Sequence, residues 1–304
     1  MNFLGYLRPD GSVGIRNYIC FLPVDRGSDT ICQKITPLIE GAIAIPYCYE
    51  SNDPDFIAAI AINPNIGAVI IVETEKENLL SKHILKKVRS TGRLAEIINI
   101  IDCGGIPASF TKILAKAISI IRDITTYRRE LVEIKKLSLG IWLEENFQQN
   151  LYPVFKNFCQ QLIEHDCCII GNNGLEKAFA DKISSKQDKN YYLNSGNILY
   201  SAKSPGFKFT SAKSIEEFTQ LAVAHGSQIL VLHISKGVIS NNIIAPTIKT
   251  TSNNDYYKTM EDTVEFYVNL NVPPENISLL LLNEILSTCS GKLTKSEVIN
   301  DALF

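Results

Sequence analysis

Residues 97–109 read IINIIDCGGIPAS, and this stretch decides the fold. A continuous apolar run ends at Asp102, two adjacent glycines follow, and a long helical pattern starts near Ser109. An apolar run without alternation is a strand buried on both faces. A strand that turns at once into a helix is half of a βαβ unit. Residues 97–102 are therefore expected to be a strand. Working outward, the same unit recurs. Residues 68–72 (AVIIV) form a strand that feeds a helix over about 76–90. Residues 17–23 (NYICFLP) form a strand that feeds a helix over 29–40, with Asp29 as N-cap. On the other side, a helix over about 151–164 leads to a strand at 166–171 (DCCIIG) and a helix from Leu175. A helix at 214–224 leads to a strand at 228–234 (QILVLHI), and two helices around Ser290-Gly291 end the chain. Residues 186–205 read as a polar loop. Residues 127–136 (YRRELVEIKK) read as a polar helix end or linker, and a domain boundary falls there. The expected fold is α/β: a mostly parallel sheet with helices on both faces. Residues 1–135 form a smaller N-terminal α/β domain and residues 136–304 a Rossmann-like C-terminal domain.

Composition narrows the function. The chain has 304 residues, 45% hydrophobic and 20% charged, with a formal net charge of -2. That balance gives no electrostatic case for nucleic acid or an anionic membrane surface. No apolar run approaches the roughly 18 to 20 residues that a membrane span requires. The first residues do not read as a signal peptide. Of the eight cysteines, none forms a C-x-x-C pair and most sit in apolar runs. Buried thiols in a reducing, cytoplasmic setting are expected. No Walker or G-x-G-x-x-G pattern occurs, so no nucleotide cofactor is expected.

Ligands in open α/β sheets bind beyond the carboxyl ends of the strands. Three loops fit that position: Asp102-Cys103-Gly104-Gly105, Gly171-Asn172-Asn173-Gly174 and His233-Ile234-Ser235-Lys236-Gly237. Each reads equally as a tight strand-to-helix turn. Residues 5–18, GYLRPDGSVGIRNY, read as a hairpin with Asp10-Gly11 as a type I′ turn. Arg8 and Arg16, with Asn17 beside them, suit bidentate capture of a carboxylate. Residues 245–254, APTIKTTSNN, carry Lys249, Ser252 and Asn253, which suit an oxygen-rich substrate; a solvated loop explains them equally. His233 ends a buried strand, whereas His83, His165 and His225 lie on or beside helices with no partner at metal-ligand spacing. Glu73 and Glu75 follow the second strand. They are weak candidates for a hard cation such as magnesium, manganese or ferrous iron, or else the polar first turn of a helix.

Three of these stretches carry a resemblance. GYLRPDGSVGIRNY is similar to the opening signature of the altronate and galactarate dehydratase family, which includes sulfolactate sulfo-lyase. APTIKTTSNN with TMEDTVEF resembles that family's P-T-I-K-x-x-S-N segment, and SGKLTKSE resembles its S-G-K-x-T-K-x-E ending. The chain departs from the family elsewhere. Glu73-Thr74-Glu75 stands for its G-C-E, and IWLEENFQQNLYP stands where a C-G-G-S-D run is expected. The E-K-S-L-G block and the N-terminal β-clip domain have no counterpart. The resemblance implies metal-assisted dehydration of a sugar acid or related hydroxy acid. A proton leaves next to the carboxylate, the β-hydroxyl departs, and the enol becomes a keto acid. It implies Lys249 as base or charge stabiliser, Arg16 and Arg8 as carboxylate clamp and Asn253 as hydroxyl-positioning residue. Asn17, Gly104, Gly105, Ser252 and His233 line the substrate site. The implied partners are a small carboxylate substrate and either a second copy or a fuller family subunit. The alternative is a catalytically degenerate relative acting as a binding or partner subunit.

Overall fold

The computed structural model describes residues 1–47, 53–75, 78–144, 149–177, 192–193, 204–237 and 241–299. The chain divides into two compact units. One is Gly5–Glu130, here the N-terminal unit. The other joins Met1–Leu4 to Leu131–Phe304 and is the C-terminal unit. Both are α/β.

The N-terminal unit is built on a parallel sheet of β3 (Tyr18–Pro23), β4 (Ala42–Ala44), β5 (Ile66–Glu73) and β6 (Leu94–Asn99), in the order β4-β3-β5-β6. All eight residues of β5 are buried, as its Val/Ile run requires of a central strand. Alternation sorts its side chains. Ile19, Phe21, Ala68, Ile70 and Val72 form one core with Ile31 and Ile35 of α1 (Arg26–Ile35) and Ile113, Ala117 and Ile120 of α4 (Ile106–Ile124). On the other face α2 (Pro54–Ala61) packs on α3 (Leu79–Ser90), and α3 lies on β5 and β6. Each fully buried Ile or Val stabilises by about 1.5–3 kcal/mol as an upper bound. A small sheet, order β2-β1-β7, is made from β1 (Asn2–Leu7), β2 (Val13–Gly14) and β7 (Arg129–Glu133).

The C-terminal unit holds seven parallel strands in the order β10-β11-β9-β8-β12-β13-β14. They are β8 (Ser138–Trp142), β9 (Cys168–Gly171), β10 (Tyr192–Leu193), β11 (Gly206–Thr210), β12 (Ile229–His233), β13 (Thr247–Thr251) and β14 (Phe266–Tyr267). The chain starts in the middle at β8, moves out through β9, then returns to β12 on the other side. That is the Rossmann-like reversal. α5 (Tyr152–Glu164) and α8 (Pro274–Cys289) pack together and α5 lies on β9, while α6 (Ile215–Ala224) packs on β8 and β11. Among the described residues no helix is long and apolar enough to cross a membrane.

Several local expectations need correction. The N-cap of α1 is Asp25, not Asp29: its side chain accepts from Ser28 N and the Ser28 hydroxyl answers in a capping box. The third strand runs from Leu94 to Asn99, not 97–102, because the Asn99 side chain accepts the Asp102 N–H and turns the apolar run out of the sheet. Residues 129–133 are strand β7, not a helix end or linker. The hairpin exists, but its turn is not type I′. Pro9 fixes a negative φ after Arg8, Gly11 N donates to Arg8 O, and only Gly11 takes a positive φ, 79°. APTIKTT is not a solvated loop: all five residues of β13 are buried. Cys20, Cys32, Cys159, Cys167, Cys168 and Cys289 are buried thiols, as expected, and burial pushes those of Cys20 and Cys159 well up. Cys103 is half-buried, and Cys48 lies outside the described residues, as does most of the expected 186–205 loop.

Candidate functional site

The order of the C-terminal sheet reverses between β8 and β12, the position at which open α/β sheets form a ligand crevice beyond the carboxyl ends of the strands. Glu144, two residues past β8, reaches across this point. Its carboxylate accepts the Ser235 hydroxyl at 2.6 Å and the Ser235 N–H at 3.3 Å. Asn253 caps α7 (Asn254–Thr259), with its Oδ1 accepting from Asp255 N and Tyr256 N, while its Nδ2 donates to Ser235 O at 3.4 Å. The Tyr256 hydroxyl donates to Gly237 O at 2.5 Å. Burial, then the nearby Glu144 charge, raises the Tyr256 phenol above its ordinary range. His233 ends β12. Its Nδ1 meets Thr250 Oγ1 at 2.9 Å and its ring stands edge-on to Phe155. Burial lowers its pKa to about 4, so the imidazole is neutral at pH 7. Lys236, the next charge along, is exposed.

The structure therefore brings His233 and Asn253 of the expected set to one crevice, with Ser252 half-buried just past β13. It adds Glu144 and Tyr256, which the sequence reading did not single out. The available signal for Glu144 was its place directly after the apolar run 139–143. Lys249 stands elsewhere. Thr250 pairs with His233 across the ladder, so Lys249, one residue earlier, faces the opposite side of the sheet. It is buried near Glu265, whose carboxylate accepts the N–H groups of Lys249 (2.7 Å) and Lys295 (3.1 Å). Burial raises the Glu265 pKa to about 7. Thr294 and Glu297 form a capping box on α9 (Lys295–Val298), and Lys295 Nζ donates to the carbonyls of Glu261 and Val264. The SGKLTKSE and TMEDTVEF stretches are thus tied to each other by a structural network.

Arg8, Arg16 and Asn17 lie in the N-terminal unit at the amino end of its sheet, opposite the carboxyl ends at which open α/β sheets generally bind ligands. Arg8 is buried, with every donor arm engaged: Nε to Pro64 O (2.8 Å), one terminal nitrogen to Asn17 Oδ1 (2.6 Å), the other to Arg16 O (2.8 Å). Burial, then the neighbouring Arg93, lowers its pKa to about 9. Asn17 also donates to Ile124 O, and Arg16 donates to Ile15 O. A Cβ on Gly14 would lie 2.1 Å from Pro64 O, so only glycine fits. The Asn65 side chain accepts from Ile15 N, and Arg93 binds the carbonyls of Ile62 and Asn63. The opening signature is, in this chain, a lock between the hairpin and the strand starts.

Gly104 and Gly105 take φ values of 88° and 104° at the turn into α4, where added Cβ atoms meet nothing. Their N–H groups donate to Ile101 O and Ile100 O, so this is a satisfied turn. In the Gly171–Gly174 loop, the Asn172 side chain binds both the N–H and the carbonyl of Leu143 and bridges two strand ends. Glu73 is buried at the end of β5 and Glu75 exposed just after it. Among the described residues no group of three His, Cys, Asp or Glu side chains converges as a metal centre. At the β8–β12 crevice the described oxygen donors are the Glu144 carboxylate and the Ser235, Asn253 and Tyr256 side chains, which build no three-ligand centre of this kind.

Comparison with known proteins agrees with the resemblance. Residues 5–125 match the second domain of D-galactarate dehydratase/altronate hydrolase, and residues 186–304 match the C-terminal domain of D-galactarate/altronate dehydratase. The (2R)-sulfolactate sulfo-lyase subunit beta of Chromohalobacter salexigens is 33% identical over 102 residues, covering 31% of this chain and 26% of that protein. The chain therefore matches about a quarter of that relative's length. Two solved structures show only loose similarity. The nickel-free carbon monoxide dehydrogenase of Thermococcus sp. AM4 has a TM-score of 0.29 and 11% identity, over 99% of this chain and 61% of that one. The phosphoglycerate oxidoreductase of Vibrio cholerae has 0.22 and 12%, over 86% and 88%. Two domain matches in family order, spanning both units, establish that the chain belongs to the D-galactarate/altronate dehydratase family.

Proposed function

We propose that the chain binds a small hydroxy carboxylate at the carboxyl end of the seven-stranded sheet and acts on it as a lyase. The observation that carries this reading is the meeting of Glu144, Ser235, Asn253 and Tyr256 at the strand-order reversal. Family members and the sulfo-lyase relative are named for hydroxy acids, which share a C–H beside a carboxylate and a leaving group one carbon on. A carboxylate base suits removal of that proton, and a phenol suits protonation of a departing oxygen. Glu144 takes the first role and Tyr256 the second. Neutral His233 and the Asn253 amide orient hydroxyls, and the Lys236 ammonium attracts the substrate carboxylate.

The test is a turnover assay of the purified chain with galactarate, altronate and (2R)-sulfolactate, following keto-acid or sulfite release. Turnover of any one that Glu144→Gln abolishes supports the assignment. Turnover untouched by Glu144→Gln removes it. A second reading is favoured by the relative being a beta subunit: the chain works with a partner subunit. Ligand binding without turnover, converted to turnover by a co-expressed partner, distinguishes that case.

A further inference from the structure

The loop after β9 holds the segment that carries Glu144. β8 and β9 pair as far as Ile141 and Gly171, and there β9 ends. The next residue, Asn172, is 1% exposed. Its side-chain amide takes over where the backbone ladder stops. Oδ1 accepts the Leu143 N–H at 3.1 Å, and Nδ2 donates to the Leu143 carbonyl at 2.7 Å. An amide side chain carries a donor and an acceptor side by side, as a strand residue does. The chain leaving β8 is thus clamped two residues beyond its last pair with β9. The same Oδ1 accepts the Leu175 N–H at 3.3 Å, which ties the clamp to the helical residues 173–177.

The loop closes tightly on this segment. A Cβ on Gly174 would sit 2.2 Å from Leu143 O, so only glycine fits there. That carbonyl belongs to the peptide group whose nitrogen is Glu144's. Holding the plane of this peptide sets the direction in which Glu144 leaves the strand. Its carboxylate then meets the Ser235 hydroxyl at 2.6 Å. A clamp of the same kind sits at the other end of β8. Gln228 Oε1 accepts the Ser138 N–H at 2.6 Å, and Nε2 donates to Lys136 O at 3.1 Å. That second clamp adjoins no residue of the proposed site.

We infer that Asn172 is the positioning residue of Glu144: its amide orients the Leu143–Glu144 peptide so that the carboxylate meets Ser235 and the substrate. The inference rests on the proposed role of Glu144 as base, and Asn172 acts through Glu144 rather than on the substrate. A misplacement of about 1 Å costs on the order of 100-fold in rate, so a group that fixes one peptide plane has a large kinetic effect. Both halves of the amide are needed, since a carboxylate in its place accepts but does not donate.

The test uses the full-length chain, with crystal structures and turnover as readouts. In Asn172→Ala the Glu144 carboxylate should leave the Ser235 hydroxyl, and kcat should fall about tenfold or more with KM nearly unchanged. In the Glu144→Gln background the same substitution should lower kcat no further, because its effect passes through Glu144. Gln228→Ala should lower the urea midpoint and leave both kcat and the Glu144 geometry unchanged. Asn172→Asp is nearly isosteric and keeps both acceptor bonds, so it folds where Asn172→Ala fails to. Its turnover relative to wild type should recover as pH falls, because a protonated carboxyl again donates to Leu143 O. Glu144 still bonded to Ser235 in Asn172→Ala overturns the inference whatever the turnover. So does a fall in kcat that is equally large in the Glu144→Gln background, or a turnover ratio for Asn172→Asp that is constant with pH. If Glu144→Gln itself leaves turnover untouched, the lyase reading falls, and displacement of Glu144 in Asn172→Ala still establishes what holds it.

Discussion

The two units close their strand-order reversals with the same device and different chemistry. In each, a carboxylate two residues past the first central strand reaches to the residues following the neighbouring strand. Asp25 does so after β3, accepting from Thr74 N at 2.7 Å and from Ser28 N at 2.8 Å. Glu144 does so after β8, accepting the Ser235 hydroxyl at 2.6 Å. Both Asp25 oxygens accept backbone N–H groups, and a Cβ on Gly27, two residues on, would sit 2.7 Å from the Thr74 side chain. That reversal is sealed. Glu144 is held by one side-chain hydroxyl and, at 3.3 Å, the same residue's N–H, beside an amide and a phenol that a ligand is able to engage in place of the chain's own carbonyls. A carboxylate that satisfies backbone N–H groups builds a fold, while one held by replaceable side chains is available for chemistry.

The largest expected effect tests the structural side. Arg8→Met leaves the Pro64 and Arg16 carbonyls and the Asn17 side chain without their donor. At roughly 1–3 kcal/mol for each buried group, the chain should lose about 4 kcal/mol of stability in urea unfolding. If Arg8→Met instead keeps its stability and loses ligand affinity, Arg8 belongs to a substrate clamp. Asp25→Ala comes next. It removes a helix cap and the acceptor for Thr74 N and should cost about 3 kcal/mol, with turnover per folded molecule unchanged. Glu144→Gln is the mirror image. Turnover should fall about 100-fold, equivalent to about 2.7 kcal/mol, with the unfolding midpoint nearly unmoved because Gln still accepts from Ser235. A large stability loss in Glu144→Gln would erase the contrast between the two reversals.

Much of this was legible in sequence because burial and periodicity write themselves in apolar runs. The strands at 18–23, 66–73 and 229–233 are such runs. Asp25 and Ser28 at capping-box spacing were equally readable, yet Asp29, one helical turn on, offered the same residue type. Polar strands hid. Thr247–Thr251 spells TIKTT, and nothing local says that a central position in a parallel sheet will bury it. The site was half legible for a related reason. His233 declared itself by ending an apolar run. Glu144 follows a run interrupted by Gly140, and Tyr256 joins it only through a helix that starts 110 residues further on. Arg8 and Arg16 read as a clamp in sequence, which shows charge but not the Pro64, Arg16 and Ile15 carbonyls that these side chains engage.

The smallest effect sharpens the picture of the C-terminal sheet, where two buried groups work against each other. His233 has its pKa lowered from 6.5 to about 4. The unfolded chain binds the extra proton in that window, so this contribution is fully present above pH 6.5 and is lost as pH falls toward 4. Glu265 has its pKa raised from 4.5 to about 7. The folded chain holds the extra proton there, so this contribution is fully present below pH 4.5 and is lost as pH rises through 7. Each is worth up to roughly 3 kcal/mol, with opposite signs over nearly the same range. Between pH 4.5 and 6.5 the wild type should therefore change by less than about 1 kcal/mol. His233→Asn removes the rising component, so its unfolding free energy should fall with pH across this range. Glu265→Gln removes the falling component and should leave a curve that rises. If both variants stay as flat as the wild type, neither group is held away from its solution protonation. The imidazole beside the crevice would then titrate with the solvent, and pH would tune ligand binding directly.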